Sequence, residues 1–332
     1  MEYPIIDLHC DLLAYLSMGK ERTPYDTISR SSLPQLKKGR VKLQTLAIYT
    51  LTQKGSTWAG LEQLKLLKKL TAHTIQDCAL YTPETFLNPS APVQFIPAFE
   101  NASGFSEESE PLAQSLERLE QVHKDFKHIL YSGMTWNGEN RFGGGVGSHK
   151  GLKEDGKRLL EWMAGKRIAI DFSHTSDPLA EGILNHLDQE NLKIPVLASH
   201  SNYRTITNEA RNMPDWLVQE LIRRKGLMGI NLLAAFIHKS DPSALVRHVE
   251  YALSLGAQDS LAFGADFFCD ADFPDLLSKY QTKDAFFKEY ANSECYSSIL
   301  DLLATKLSLK EDQLQKIAHA NAERFLNALF TA

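Results

Sequence analysis

The fold of this chain is first indicated by the stretch Tyr3-Pro-Ile-Ile-Asp-Leu-His-Cys-Asp11. A short apolar run of this kind is typical of a buried β-strand, and His9 and Asp11 stand where the run ends. Two residues apart on an extended strand, their side chains point to the same face. An imidazole and a carboxylate on one face suit Zn²⁺ or a similar divalent ion.

Similar short apolar runs recur along the whole chain, and segments with helical periodicity separate them. The predicted strands are residues 3–8, 41–49, 93–99, 128–136, 167–173, 194–199, 227–233 and 260–265. The predicted helices between them include residues 61–79, 112–126, 152–164, 178–187, 214–224 and 242–254.

Alternating strands and helices indicate right-handed βαβ units and a parallel sheet. Eight repetitions favour closure into a (β/α)₈ barrel of the TIM type, an α/β fold, with an open doubly wound sheet as the alternative. Residues 272–332 have a helical pattern and are predicted to be a helical extension that caps the barrel. We therefore expect one domain over residues 1–332.

Composition narrows the classes of function. The formal net charge of -5 and the pI near 6.1 argue against nucleic acid as a partner. The sequence has no run of about 18 apolar residues, so no membrane partner is predicted. The N-terminal sequence does not look like a signal peptide, and the four cysteines have no CxxC spacing. A reducing compartment, and hence the cytoplasm, is the expected location.

Polar side chains follow five of the predicted strands, at the end of a barrel where active sites lie. The six residues of metal-ligand type are His9, Asp11, Glu100, His174, His200 and Asp266. Imidazole and carboxylate ligands with an open coordination position let a bound water ionise near neutral pH. This set favours two metal ions over one, because a carboxylate can bridge them, and Glu100 is the expected bridge. The sequence thus predicts a metal-dependent hydrolase.

Several neighbouring features have weaker expectations. Asp7 and Asp171 precede ligand histidines and are expected to orient an imidazole. The glycine-rich run 142–147 lacks the Lys-Ser/Thr of a phosphate loop and is expected to be a flexible active-site loop. Cys10 should point away from its two neighbours, so no nucleophilic role is expected. His248 is expected to be structural.

Taken together, these segments resemble the membrane (renal) dipeptidase family, peptidase family M19 of the amidohydrolase superfamily. The likeness spans the chain and includes its C-terminal Asn321-Ala-Glu-Arg-Phe325. The matching segments are Asp7-Leu-His-Cys-Asp11, Glu100, Asp171-Phe-Ser-His-Thr-Ser176, Ser199-His-Ser201, Ala210-Arg-Asn212 and Phe263-Gly-Ala-Asp-Phe267.

The resemblance implies a zinc-dependent dipeptidase, with L,D-dipeptides among its substrates. It implies two Zn²⁺ or other divalent cations, one held by His9 and Asp11, the other by His174 and His200, with Glu100 bridging. A metal-bridging hydroxide would attack the peptide carbonyl while Asp266 transfers the proton. The family's substrate-carboxylate arginine corresponds to Arg211, whose guanidinium suits that task. A homodimer is also implied.

One position departs from the family. A histidine that contacts the substrate in the family is replaced here by Trp136, within Thr135-Trp-Asn-Gly138. Its indole is expected to contact the substrate as a donor or as an apolar wall. Two other functions stay open at this stage: hydrolysis of another amide, a lactone or an N-acyl amino acid by the same metal site, and an inactive metal-binding scaffold.

Overall fold

The computed structural model describes residues 3–72, 76–83, 87–88 and 90–331, and a closed barrel of parallel strands forms its centre. The strands are β1 Ile5–Cys10, β2 Val41–Ile48, β3 Cys78–Leu80, β4 Val93–Phe99, β5 Tyr131–Gly133, β6 Ala169–Asp171, β7 Val196–Ala198, β8 Leu227–Ile230 and β9 Leu261–Phe263. Eight of them, all but β3, form the barrel, which closes because β1 pairs with both β2 and β9. The predicted (β/α)₈ barrel is confirmed, and the open sheet is excluded.

Strand β3 is the one strand of the described chain that the apolar pattern did not predict. It pairs in parallel with the first half of β4, from Cys78 opposite Val93 to Leu80 opposite Phe95. The predicted helix 61–79 is wrong at its C-terminal end, because the observed helix ends at Leu70. The neighbouring strand provides backbone partners for β3, and this stabilisation has no local signature in the sequence.

Helices surround the barrel and connect its successive strands. They are α1 Leu12–Ser17, α2 Leu33–Lys38, α3 Ser56–Leu70, α4 Leu112–Phe126, α5 Glu154–Met163, α6 Asp177–Gln189, α7 Asp215–Arg223, α8 Ala234–Ile237, α9 Ala244–Ser254, α10 Leu276–Tyr280, α11 Tyr296–Leu307, α12 Glu311–Gln315 and α13 Asn321–Phe330. A π-helical turn, Lys316–Ala320, joins the last two. Among the described helices, none is both long and apolar enough to cross a membrane.

Helix α6 illustrates how local sequence sets an element boundary. The side chain of Ser176 caps the helix by accepting a hydrogen bond from the main-chain nitrogen of Leu179. Pro178 occupies the first turn, where its missing N–H costs nothing, and Asp177 places negative charge at the positive end of the helix dipole. The helix therefore begins directly after the segment that carries His174.

The C-terminal helix α13 closes the end of the barrel opposite to the predicted site. Its apolar side chains, including Phe325 and Leu329, pack with interior residues of the strands such as Ile6 and Leu8. Its first residue, Asn321, donates from its side-chain amide to the carbonyl oxygen of Leu261 at 2.9 Å. Helix α13 thus covers one end of the barrel, as expected of a helical cap. The assignment of residues 1–332 to one domain stays a prediction.

Candidate metal centre and active site

The six predicted ligand-type side chains converge at the C-terminal end of the barrel. His9 lies in β1 and Asp11 follows it, while the other four lie in the loops that directly follow β4, β6, β7 and β9. All six residues are at most 8% exposed. They meet because parallel strands of a barrel end at the same rim.

Their ligand atoms are close enough to hold more than one cation. Glu100 Oε1 lies 2.8 Å from His174 Nε2 and 3.8 Å from His200 Nε2. His9 Nε2 lies 3.7 Å from Asp11 Oδ2. Two trios, His9-Asp11-Glu100 and Glu100-His174-His200, each have ligand atoms within 4.8 Å of one another, and they share Glu100. A third trio joins His9 and His200 to Asp266.

Three buried polar atoms of this cluster have no hydrogen-bond partner in the described structure: His9 Nε2, Asp11 Oδ1 and Glu100 Oε2. Buried polar atoms in native proteins almost always have a partner, because burial without one costs about 1–3 kcal/mol. Nitrogen and oxygen atoms left without a partner around one point fit a divalent cation. The residues therefore suit the predicted metal site.

Each histidine ring is held through its other nitrogen. The contacts are His9 Nδ1 with Tyr131 Oη at 2.8 Å, His174 Nδ1 with Asn137 Oδ1 at 3.1 Å, and His200 Nδ1 with Ser199 Oγ at 2.6 Å. An Nδ1–H that donates to each oxygen leaves the Nε2 lone pair free to bind a cation. The sequence alone predicted no such role for Tyr131, Asn137 or Ser199.

The two aspartates that were expected to orient imidazoles behave differently. Asp171 accepts a hydrogen bond from the Ser199 hydroxyl at 2.6 Å and so supports the ring of His200 through that serine. Asp7 accepts instead from the main-chain nitrogens of His9, at 3.2 Å, and Ala265, at 3.0 Å. The expectation is wrong for Asp7, which fastens the ends of β1 and β9 together. An aspartate in a strand can accept hydrogen bonds from main-chain nitrogens of the neighbouring strand as readily as from an imidazole ring.

The charges in the cluster favour a cation. Burial raises the pKa of Glu100 well above its ordinary value, and the charge of Asp11 raises it further. Burial alone would lower the pKa of His9, but Asp11 and Glu100 outweigh it and raise the pKa to about 9. Burial also lowers the pKa values of His174 and His200 well below the usual range, so both rings are neutral at pH 7 and could bind a cation.

Asp266 lies at the same cluster in a constrained conformation. Its φ of 64° is rare for a residue with a side chain, and its main-chain nitrogen donates to the carbonyl oxygen of His9 at 3.2 Å. Asn231, which the sequence analysis missed, donates from Nδ2 to Asp266 Oδ2 at 2.9 Å. Burial raises the pKa of Asp266 to about 6. This carboxyl can exchange a proton near neutral pH.

Arg211 reaches the cluster from the loop after β7. It is buried, and it donates to Ser201 Oγ at 2.8 Å and to the carbonyl oxygen of His200 at 3.3 Å. Its Nη2 also lies 3.1 Å from His174 Nε2. Its Nε has no partner in the described structure. A buried guanidinium with a free donor is suited to a carboxylate.

Trp136 is half-buried at the wall of the site, with its ring 6.0 Å from that of His174. The glycine-rich loop packs behind it: Gly145 donates to the carbonyl oxygen of Gly138 at 2.9 Å, and a Cβ on Gly145 would lie 1.8 Å from the Trp136 carbonyl oxygen. Residues 142–145 are buried. The loop lies at the site, since the main-chain nitrogen of Val146 donates to the carbonyl oxygen of His174 at 2.9 Å. Its flexibility stays a prediction.

A cavity of about 440 Å³ opens above the six ligand-type residues. Four of these residues, Asp11, Glu100, His174 and Asp266, form part of its wall, together with aromatic side chains and the guanidinium of Arg211. The aromatic residues are Tyr49, Trp136, Phe236, Phe268, Phe273 and Tyr280. This volume and this mostly apolar lining are typical of sites for small organic molecules.

His248 lies outside this cavity, and its ring is occupied on both sides. Its Nδ1 accepts from the main-chain nitrogen of Tyr203 at 3.3 Å, and its Nε2 donates to the carbonyl oxygen of Ile237 at 3.0 Å. Burial lowers its pKa to about 4. The prediction of a structural histidine is confirmed.

The sequence of the chain is similar to those of known proteins, and one family profile matches nearly its whole length. The profile of "Membrane dipeptidase (Peptidase family M19)" matches residues 1–331. An uncharacterized protein of the pqqA 5′ region of Klebsiella pneumoniae is 25% identical over 224 residues, which are 62% of this chain and 78% of that protein.

Two solved structures share the fold over nearly their full lengths. Dipeptidase AC, a metallopeptidase of family M19, has a TM-score of 0.81 and 17% identity and covers 100% of both chains. A metallopeptidase of Rhodobacter sphaeroides, liganded with a phosphinate mimic of the dipeptide L-Ala-D-Ala, has a TM-score of 0.82 and 17% identity over 98% of this chain and 99% of that one. At this identity the likeness concerns the fold.

Proposed function

The chain belongs to the membrane dipeptidase family, peptidase family M19, and is thus a metallo-dipeptidase, and we propose that it hydrolyses dipeptides with two zinc ions. One observation carries this proposal. The trios His9-Asp11-Glu100 and Glu100-His174-His200 share one carboxylate, and the unpartnered atoms of the cluster belong to the first trio. Two cations with Glu100 between them would satisfy these atoms.

In this proposal His9 and Asp11 hold one ion, and His174 and His200 hold the other. Bound divalent cations supply a water that ionises near pH 7 and polarise the carbonyl to be attacked. The protein contributes rigid ligands, because Tyr131, Asn137 and Ser199 hold the rings. Burial lowers the effective dielectric constant around the cluster and so strengthens its electrostatic interactions.

Proton transfer and substrate orientation are assigned to two further side chains. We assign to Asp266 the acceptance of the proton of the attacking water and its delivery to the leaving amine, which suits a carboxyl with a pKa near 6. We assign to Arg211 the binding of the substrate's terminal carboxylate through its free Nε. Trp136 forms an apolar wall against the substrate. These roles place the peptide bond between Asp266 and the metal ligands.

The cavity favours a small peptide. Its volume of about 440 Å³ accommodates two residues and little more. The Rhodobacter protein binds a mimic of a dipeptide whose second residue has D configuration. We propose that L,D-dipeptides are also substrates of this chain.

A panel of L,L- and L,D-dipeptides tests the proposal. Purified protein is stripped of metal, reloaded with Zn²⁺, Co²⁺ or Mn²⁺, and assayed for amino acid release, with bound metal counted by elemental analysis. We expect about two ions per chain and hydrolysis that depends on them. Asp266→Asn should keep its metal and lose about 10²–10⁴-fold in kcat.

Asp259→Asn is the matched control, since Asp259 is exposed and pairs with Lys316 at 2.8 Å just before β9, at the other end of the barrel. Its kcat should equal that of the wild type. Absence of hydrolysis of every dipeptide by metal-loaded protein would refute the proposal and favour another amide, a lactone or an N-acyl amino acid as substrate.

We also propose that the protein acts in the cytoplasm as a homodimer. All four cysteines are buried and free, as suits a reducing compartment. Light scattering after size-exclusion chromatography measures the oligomeric state directly. A mass of about one chain, against the chain mass of 37.3 kDa, would refute the dimer.

A further inference from the structure

Tyr49 lies at the rim of the barrel, directly after the last residue of β2, and its main chain is held on both sides by one buried glutamine. Its nitrogen donates to Gln63 Oε1 at 3.0 Å, and Gln63 Nε2 donates to its carbonyl oxygen at 2.6 Å. Gln63 belongs to α3 and is buried. The backbone of Tyr49 is therefore fixed relative to the barrel wall.

The phenol ring is held as firmly as the backbone. Trp136 contacts it edge-on with ring centroids 5.2 Å apart, and Phe273 does so at 5.8 Å. Such edge-to-face pairs have a preferred geometry, which restricts ring rotation about the side-chain bonds. The ring forms part of the wall of the cavity that also contains Asp11 and Glu100. Its hydroxyl therefore has a nearly fixed position.

This hydroxyl has no hydrogen-bond partner in the described part of the chain, although the ring is mostly buried. Two buried tyrosine hydroxyls behind the site already have partners: Tyr131 bonds His9, and Tyr296 bonds Asp7. Burial raises the pKa of Tyr49, and the charges of Glu100 and Asp11 raise it further. The group is therefore a protonated donor next to the cluster.

We propose that the Tyr49 hydroxyl donates a hydrogen bond to the carbonyl oxygen of the scissile bond and strengthens it as that oxygen becomes an oxyanion. The inference rests on the dipeptidase function proposed above. Water attack breaks the carbonyl π bond and places its electron pair on this oxygen, while Tyr49 keeps its proton throughout. A fixed donor aimed at developing charge lowers the barrier, because it needs no reorganisation during the reaction.

The Tyr49 hydroxyl suits this task because it does not hydrogen-bond the unpartnered oxygen atoms of the metal-ligand cluster. Asp11 Oδ1 and Glu100 Oε2 are left free of protein donors, Tyr49 among them. The hydroxyl therefore remains available to donate a hydrogen bond to a substrate. Arg211 is already bonded to Ser201 Oγ and to the His200 carbonyl oxygen. Tyr49 thus offers a neutral donor in the part of the wall that also contains Asp11 and Glu100.

Tyr49→Phe tests the proposal. It removes one oxygen that bonds no atom of the described residues and keeps the ring contacts with Trp136 and Phe273, so the fold should not change. We expect kcat for a good dipeptide to fall about 10–10³-fold, with KM within about threefold and metal content unchanged. Affinity for a phosphinate dipeptide mimic, which resembles the tetrahedral intermediate, should fall by a similar factor, whereas affinity for the product amino acid should not.

Tyr251→Phe is the matched control, because it removes a phenol hydroxyl that bonds Asp215 at 2.8 Å on an outer helix. It should leave kcat and phosphinate affinity unchanged. If the wild type hydrolyses dipeptides and Tyr49→Phe does so with kcat within twofold, the inference is overturned and the dipeptidase proposal stands. A loss that follows lost metal also overturns it. If the wild type hydrolyses none, both proposals fail.

Discussion

The Nδ1 atom of His200 lies 2.6 Å from Oγ of Ser199. The same hydroxyl donates a hydrogen bond to Oδ2 of Asp171 at 2.6 Å. Ser199 therefore donates to Asp171 and accepts from His200, and the chain of bonds fixes the proton of the ring on Nδ1. The lone pair of Nε2 is left to bind a cation.

Removal of this hydroxyl should weaken metal binding. In Ser199→Ala the ring of His200 loses its partner, so we expect affinity for Zn²⁺ to fall about 10–100-fold, as measured by competition with a coloured chelator. Ser132→Ala is the control, since that serine is equally buried in β5 and its hydroxyl bonds the carbonyl oxygen of Gly133. Equal affinities of the two variants would contradict the prediction.

The shared carboxylate of Glu100 should decide how many ions are bound. Glu100→Gln removes one negative charge from both trios, so the protein should hold at most one ion per chain, counted by elemental analysis, and activity should be lost. Glu139→Gln serves as the control, because Glu139 is exposed and pairs with Lys153 at 2.7 Å. Two ions retained in Glu100→Gln would argue against a bridging role.

Arg211 should distinguish a free carboxylate from its amide. For Arg211→Met we expect kcat/KM for a dipeptide to fall about 10²–10³-fold, since a buried charge-assisted pair is worth several kcal/mol to the bound state. The same variant and the wild type should cleave the corresponding dipeptide amide at similar rates. If kcat/KM falls equally for the dipeptide and for the dipeptide amide, Arg211 does not bind a terminal carboxylate. That result would favour a different amide or an N-acyl amino acid as substrate.

His248 should contribute to the acid sensitivity of the fold. Its pKa is about 4 in the folded chain and near 6.5 when exposed, so the unfolded state binds the extra proton between these values. Stability should therefore fall as pH decreases from about 6.5 to 4, by about 3 kcal/mol from this ring. Urea unfolding of metal-free wild type and His248→Asn over this range measures it.

In the variant the part of the pH dependence due to this ring should be absent, although Asn can still accept from the main chain of Tyr203. The two free energies of unfolding should therefore converge toward pH 4. If their difference stays constant from pH 7 to pH 4, the ring does not titrate in this range.

The barrel itself could be predicted because its signals are local. Each strand appears as a short apolar run, and a helix such as α4 appears with its observed bounds, since burial of one face leaves a periodic pattern in the sequence. The short strand β3 was missed, because it depends on its pairing with β4. The placement of His9, Glu100 and Asp266 at strand ends followed from the barrel, since every parallel strand ends at one rim.

The sequence by itself therefore determined the alternation of strands and helices, the family, and which side chains reach the rim of the barrel. Tertiary structure decided which group holds each ring and which hydroxyl stays free. Tyr131 meets His9 across 122 residues of chain, and Asn231 meets Asp266 across 35. An Asn or a Tyr has no local signature for such a contact, because its partner is set by the closure of the barrel and not by the residues around it.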